Sequence, residues 1–199
     1  MNPTPVLETL LRQLEQEGIA HDAAQSEHRH KRLNLESPTA RLLQLLILAG
    51  SRRRVLEVGT SNGYSALWIA DALRRIPGAA PLITIERAPE RAAQARRNLS
   101  RAGLDAWAKV QIGEATEVVA ELRGPFDAVF FDADRVSAPR QLALLLPKLA
   151  SDVLLLADNV LSHPEETSAY VEVVSRIPGF TSMVVPIGKG LHIAHRLRD

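Results

Sequence analysis

From residue 55 to residue 157 the chain alternates short apolar runs, rich in β-branched residues, with longer stretches whose apolar residues recur at helical spacing. No other feature narrows the fold as far. Residues 55–58, 82–86, 109–112, 128–131 and 153–157 read as strands, and 64–75, 90–102, 115–122, 140–149 and 165–177 read as helices. Strands apolar at consecutive positions, without polar alternation, belong in a parallel sheet covered by helices on both faces. The end of the chain differs: TSMVVPI and LHIAHRL are strand-like runs on either side of Gly188-Lys189-Gly190, which predicts an antiparallel finish. The expected fold class is α/β, a doubly wound, seven-stranded, mostly parallel sheet with an antiparallel final strand.

Two helices precede the sheet. The first starts near Pro3 with Leu7, Leu10, Leu11 and Leu14 at helical spacing and takes Gly18 as its stop. In the second, Ser37 reads as the N-cap, Pro38 as the first helical residue and Gly50 as the end of the apolar run 42–48. The polar stretch 19–36 between them, with three histidines and Arg29, Lys31 and Arg32, reads as a solvated face, with a mobile segment on the substrate side as the alternative. A chain of 199 residues suits one domain, with residues 1–54 as a helical extension and 55–199 as the α/β core.

Composition removes several function classes. The chain has no cysteine, which excludes disulfides, zinc–thiolate clusters, iron–sulfur sites and thiol nucleophiles, so its chemistry must rest on oxygen and nitrogen groups. Its 24 basic and 23 acidic residues leave a net charge of +1, and aromatic residues are 4%, a poor endowment for gripping phosphates or stacking bases. No apolar run approaches the roughly 20 residues of a membrane span, and the start lacks the basic-then-apolar order of a secretion signal. A soluble cytoplasmic protein acting on a small molecule is the expectation.

In a doubly wound sheet, ligands lie at the carboxyl ends of the strands, where strand order reverses. The first strand runs into Glu57-Val58-Gly59-Thr60-Ser61-Asn62-Gly63, a glycine turn without a phosphate-loop lysine and with Ser61 where a dinucleotide fingerprint has its second glycine. A pyrophosphate cradle is therefore disfavoured. The second strand ends in Glu86, placed to accept hydrogen bonds from both hydroxyls of a ribose. A nucleoside without pyrophosphate, such as adenosine carrying an amino-acid tail, fits this pair; the sulfonium of S-adenosylmethionine suits a pocket containing acids such as Glu57. Asp132 and Asp134 follow the fourth strand, and Asp158 and Asn159 the fifth. With those strands adjacent, Asp132, Asp158 and Asn159 converge as oxygen donors for a hard divalent cation. Taken singly, the same residues read as helix caps and turns.

The stretches VLEVGTSNGYSALWIADAL, ITIERAPERAAQARRNLSRAGL, VQIGEA, FDAVFFDADR, LLLADNVLSH and VPIGKGL, in that order, resemble the S-adenosylmethionine-dependent O-methyltransferases of the catechol and caffeoyl-CoA type, particularly their small bacterial members. The resemblance implies a Rossmann-like core. It places Glu57, Gly59, Thr60 and Ser65 around the methionine part of S-adenosylmethionine, Glu86 at the ribose, the backbone of Ala115 at the adenine, and Asp132 between cofactor and metal. It makes Asp132, Asp158 and Asn159 ligands of Mg²⁺ or another hard divalent cation, and implies a homodimer through the N-terminal helices and final strands, with residues 1–54 on the acceptor side.

Three departures bear on the acceptor. Arg135 stands where the family commonly has a lysine able to serve as base, and an arginine keeps its proton, so Arg135 can orient or stabilise an oxyanion but not take a proton. His163 is a candidate base in its place. Ser162 replaces a tryptophan that walls the substrate in many relatives. Residues 136–139 and 150–152 replace a Tyr-rich stretch and a Pro-Gly-Gly. Two other readings stand beside a small aromatic acceptor: methylation of a hydroxylated base in transfer RNA, gripped by Arg29, Lys31, Arg32 and residues 52–54, and an NAD-binding or non-catalytic nucleotide-binding domain.

Overall fold

The computed structural model describes residues 3–25 and 34–197. Helix α1 (Pro5–Ala23) opens at Thr4, whose hydroxyl accepts from the Leu7 N–H at 3.4 Å, and buries Leu7, Leu10, Leu11 and Leu14. It runs through Gly18 instead of stopping there. The bare glycine leaves room for Asn34, whose amide donates to the Leu14 carbonyl at 3.0 Å; a Cβ at residue 18 would stand 2.5 Å from that amide nitrogen. Helix α2 (Ser37–Ala49) starts one residue earlier than expected: Ser37 is already helical and Glu36 holds the cap position, with its side chain making no cap bond. Of the polar stretch, residues 19–23 belong to α1, Leu35 is buried, and Arg29, Lys31 and Arg32 lie outside the described residues.

The remaining elements are β1 (Val55–Val58), α3 (Tyr64–Leu73), β2 (Leu82–Glu86), α4 (Pro89–Arg101), β3 (Ala108–Ile112), α5 (Ala115–Glu121), β4 (Phe126–Phe131), α6 (Ala138–Leu145), β5 (Leu149–Ala157), α7 (Pro164–Arg176), β6 (Phe180–Val185) and β7 (Leu191–Arg196). Helix α6 ends earlier than its apolar pattern suggested, because Pro147 lies in a 3₁₀ turn that hands the chain directly to a longer β5. The seven strands form one sheet in the order β3-β2-β1-β4-β5-β7-β6. Every pairing from β3 to β5 is parallel, whereas β7 runs antiparallel to both neighbours, β5 and β6.

The expected burial on both faces is observed. On one face Val55, Ala128, Phe130, Leu154 and Leu156 pack with α1 to α4; on the other Leu56, Val58, Val129, Phe131 and Leu155 pack with α5 to α7. Register does the work that matters for a site: Val58 pairs with both Ile85 and Phe131, and Phe131 pairs with Ala157. The next residues, Gly59, Glu86, Asp132 and Asp158, therefore emerge at one level along the carboxyl edge, around the β1/β4 junction where strand order reverses. Among the described residues no helix is long and apolar enough to cross a membrane.

A fully buried carboxylate ties the N-terminal helices to this core. Asp71 of α3 accepts from the Gln44 amide of α2 at 2.8 Å and pairs with Arg74 and Arg75 at 2.6 Å each. Removing one partner of such a buried network leaves charge unpaired, at a cost of about 3 kcal/mol or more. Asp71→Ala is expected to lower the free energy of unfolding by about that amount, read from the denaturant midpoint; a loss below about 1 kcal/mol would place the network among weak surface pairs.

Candidate active site

A cleft of about 480 Å³ opens over the aligned strand ends, in the range of small-molecule sites. Its wall includes Gly59, Ser61, Ile85, Glu86, Gly113, Glu114 and Ala115 at one end, and Asp132, Arg135, Asn159, His163 and Lys189 at the other. The two ends of this cavity carry members of both groups singled out in the sequence, but Asp158 lies off this wall and borders a smaller hollow with Asp134, Arg135 and Tyr170.

The nucleoside half is preset by backbone geometry. Gly59 has φ of 108°, and a Cβ there would fall on the Asp132 carbonyl oxygen. Only glycine lets the β1 turn lie this close to the end of β4. Glu86 accepts from the Ser61 N–H at 2.8 Å and the Ala88 N–H at 3.0 Å, which fixes its carboxylate and leaves lone pairs for two further donors. Ala115 is the first residue of α5, behind Glu114, whose side chain caps the helix by accepting from Thr116 and Glu117 N–H. Three other expected cofactor contacts lie off this wall. Glu57, Thr60 and Ser65 are buried, with the Thr84 hydroxyl donating to Glu57 at 2.5 Å and lying 2.5 Å from the Thr60 hydroxyl. Burial pushes the Glu57 carboxyl up to about 7, against the pull of the Ser65 and Thr84 hydroxyls.

The other half gathers carboxylates. Burial, then the charges of Asp158 and Glu57, hold Asp132 well above the usual carboxylate range, with Lys189 opposing. Burial likewise pushes Asp158 up to about 6, against the Asn159 N–H. The Asn159 amide donates to Asp132 at 3.3 Å, and the residue takes φ of 69°, a conformation asparagine tolerates. One oxygen of Asp158 is buried with no hydrogen-bond partner. Among the described residues no three His, Cys, Asp or Glu side chains stand together as a metal cluster; the donor set here is two carboxylates and one amide. An orphaned carboxylate oxygen, two acids that resist ionising side by side, and an amide able to turn its oxygen inward all fit a hard divalent cation.

The remaining candidates separate. Asp134 is occupied locally, accepting from the Val136 N–H at 3.2 Å and the Ser137 hydroxyl at 2.6 Å in the turn before α6, whose cap position is Ser137 and not Asp134. Arg135 pairs with Glu166 at 2.7 Å. His163 caps α7 in position, with Nδ1 2.9 Å from the Ser162 hydroxyl. Arg52 is buried far from the cleft, bound to Asp152 at 2.5 Å and His195 at 2.9 Å, while the backbone N–H groups of Arg53 and Arg54 donate to Asp127. That triplet precedes β1, at the opposite end of the sheet from the cleft, so the expected phosphate grip by residues 52–54 is not available to a ligand there.

A family model described as O-methyltransferase matches residues 8–196. The chain belongs to the O-methyltransferase family. This membership leaves the NAD-binding alternative without support. Among curated relatives of this O-methyltransferase-family chain, a catechol O-methyltransferase of Niastella koreensis is 37% identical over 125 residues, covering 61% of this chain and 55% of that protein. A catechol O-methyltransferase of Mycobacterium tuberculosis is 34% identical over 134 residues, covering 65% and 58%. The matches thus span little more than half the length of these relatives. An O-methyltransferase from Bacillus cereus, crystallised with SAH, superposes with a TM-score of 0.79 at 23% identity over 98% of this chain and 92% of that one. TomG of Streptomyces achromogenes, an O-methyltransferase involved in tomaymycin synthesis and crystallised with SAM, gives 0.79 at 22% identity over 98% and 91%. At these identities the likeness establishes the fold.

Sequence reasoning gives no role to Lys189 and Glu166, which line this half of the cleft from outside the strand ends, or to Glu36, which pairs with Lys189. The only signal was a lysine between two glycines in the last turn. The buried acids carry a testable consequence. Glu57, Asp132 and Asp158 bind protons more tightly folded than unfolded, so the stability they contribute is full below about pH 4 and is lost as pH rises through about 6 to 7. The ligand-free protein should melt at a higher temperature at about pH 5.5 than at about pH 8. Glu57→Gln should flatten the change over that interval by the equivalent of roughly 2 kcal/mol. Melting temperatures that rise over the same interval would contradict it.

Proposed function

We propose that this protein transfers a methyl group from S-adenosylmethionine to a hydroxyl of a small aromatic, catechol-like acceptor, with a divalent cation such as Mg²⁺ held by Asp132, Asp158 and Asn159. What carries the reading is the level emergence of Gly59, Glu86, Asp132 and Asp158 from the strand ends, at a cleft that Gly59, Glu86, Asp132 and Asn159 line, in a chain whose family match runs almost from end to end. The catechol O-methyltransferase relatives support the acceptor class.

Bound in the cleft, the sulfonium cofactor supplies the methyl group and the cation supplies positive charge beside two neighbouring acceptor oxygens. Glu86, already oriented by two N–H donors, accepts from the ribose hydroxyls. The Gly59 turn admits the cofactor against the backbone, and the first turn of α5 at Ala115 borders its adenine. Glu57, Thr60 and Ser65 act from behind the wall, and a sulfonium at this end would favour the charged form of Glu57, which burial otherwise disfavours. Asp132, on the metal half of the wall, would also face the cofactor. His163 is the group on the acceptor wall able to take the hydroxyl proton, while Arg135, which keeps its own proton, orients the acceptor. Ordering cofactor and acceptor in one cavity contributes much of the rate by fixing their alignment.

Labelled S-adenosylmethionine incubated with a panel of catechols, with Mg²⁺ or with chelator, tests this directly. Transfer that needs the metal is expected; cofactor bound without transfer to any acceptor would mark a non-catalytic scaffold. Glu86→Ala should weaken cofactor binding about tenfold or more, the worth of one or two hydrogen bonds to a charged group, as read by calorimetry. Asp158→Asn should leave cofactor affinity within a factor of about three yet lower kcat/KM about a hundredfold. Equal losses of binding in both variants would refute the division of the cleft into two halves.

A further inference from the structure

Lys189 has no part in the reading above, yet it is built into the acidic half of the cleft. The glycines on either side take φ of 54° at Gly188 and 92° at Gly190. A Cβ at Gly188 would lie 2.5 Å from the Thr39 hydroxyl and 2.6 Å from a Glu36 carboxylate oxygen, and one at Gly190 would lie 2.5 Å from Leu161 Cγ. The turn can thus press against the start of α2 on one side and the loop after β5 on the other only with glycine at both positions. The Lys189 carbonyl accepts from Leu161 and Ser162 N–H at 3.0 and 3.1 Å, and the Gly190 carbonyl accepts from Val160 N–H at 3.1 Å. These bonds fasten the turn to the loop that carries Asn159.

The ammonium is held as firmly as its backbone. Lys189 Nζ lies 3.1 Å from Glu36, at the foot of α2, and the side chain is about two-thirds buried on the wall that includes Asp132 and Asn159. Its positive charge acts on both Asp132 and Asp158, outweighing the negative charge of its partner Glu36 at Asp132 and offsetting part of it at Asp158. A unit positive charge on the wall it shares with Asp132 and Asn159 opposes a divalent ion seeking the same groups, and partial burial limits how far water screens the repulsion.

We propose that Lys189 is the resident counter-cation of the Asp132 and Asp158 pair and sets how tightly the acceptor site takes a divalent ion. The inference rests on the metal reading of Asp132, Asp158 and Asn159 given above. The protein holds such an ion weakly, and removing the lysine charge tightens it.

Mn²⁺ alone, titrated into the full chain and followed by electron paramagnetic resonance, is the probe. Lys189→Gln should bind it about tenfold or more tightly than the unaltered protein, and Lys189→Arg, which keeps the charge, should stay at the unaltered level. The gain should vanish when Asp158→Asn is added to Lys189→Gln. Equal affinities with and without the lysine charge, or a gain that survives loss of Asp158, would overturn the proposal. Calorimetric binding of S-adenosylmethionine by the same samples reports separately on the methyltransferase reading, because a protein that binds no cofactor refutes that reading while the Mn²⁺ comparison still decides the role of Lys189.

Discussion

The site depends on strand register. Because Val58, Ile85, Phe131 and Ala157 are paired neighbours, the residues that follow them leave the sheet together, and one glycine and three carboxylates emerge at one edge. A slip of one residue in any of these strands would turn its side chains to the opposite face and withdraw its acid from the cleft. The register is secured by burial on both faces, since each of these strands has apolar residues packed against helices above and below. Core packing and active-site geometry are therefore the same constraint seen from two ends of the strands.

That packing also accounts for the electrostatics. The strand ends are covered by helices and loops, so Glu57, Asp132 and Asp158 lose hydration that their charged forms need. On the proposed reading, the fold bears this cost where a positively charged ligand would offset it. The contrast lies at the opposite end of the sheet, where Asp152 keeps its carboxyl below the usual range through His195 and Arg52, and the charges are satisfied within the protein itself. One edge is self-neutralised and the other is left acidic.

Much of this was legible in the sequence, for identifiable reasons. Consecutive apolar residues betray a strand buried on both faces, and an acid just beyond such a strand must lie at the carboxyl edge, so Glu86, Asp132, Asp158 and Asn159 could be placed from local pattern and topology alone. What escaped were contacts between distant segments. Gly18 looks like a helix stop until Asn34 is seen filling the space beside it. Thr60 and Ser65 sit in the expected turn, but their burial away from the wall depends on how that turn packs over Glu57. Lys189 belongs to the cleft only because the last hairpin folds against α2 and the loop after β5, which no local period encodes.

The contact between Gly59 and the Asp132 carbonyl oxygen has a wider consequence. It makes the bend after β1 and the acid after β4 a single mechanical part, since displacing one displaces the other. Change in the shape of the cleft is thereby steered outward, to surfaces that do not touch this joint: the stretch around Ser162 and His163, the tip of the terminal hairpin, and the leading helices. On the proposed reading, the donor of the carbon would stay fixed while its recipient could change.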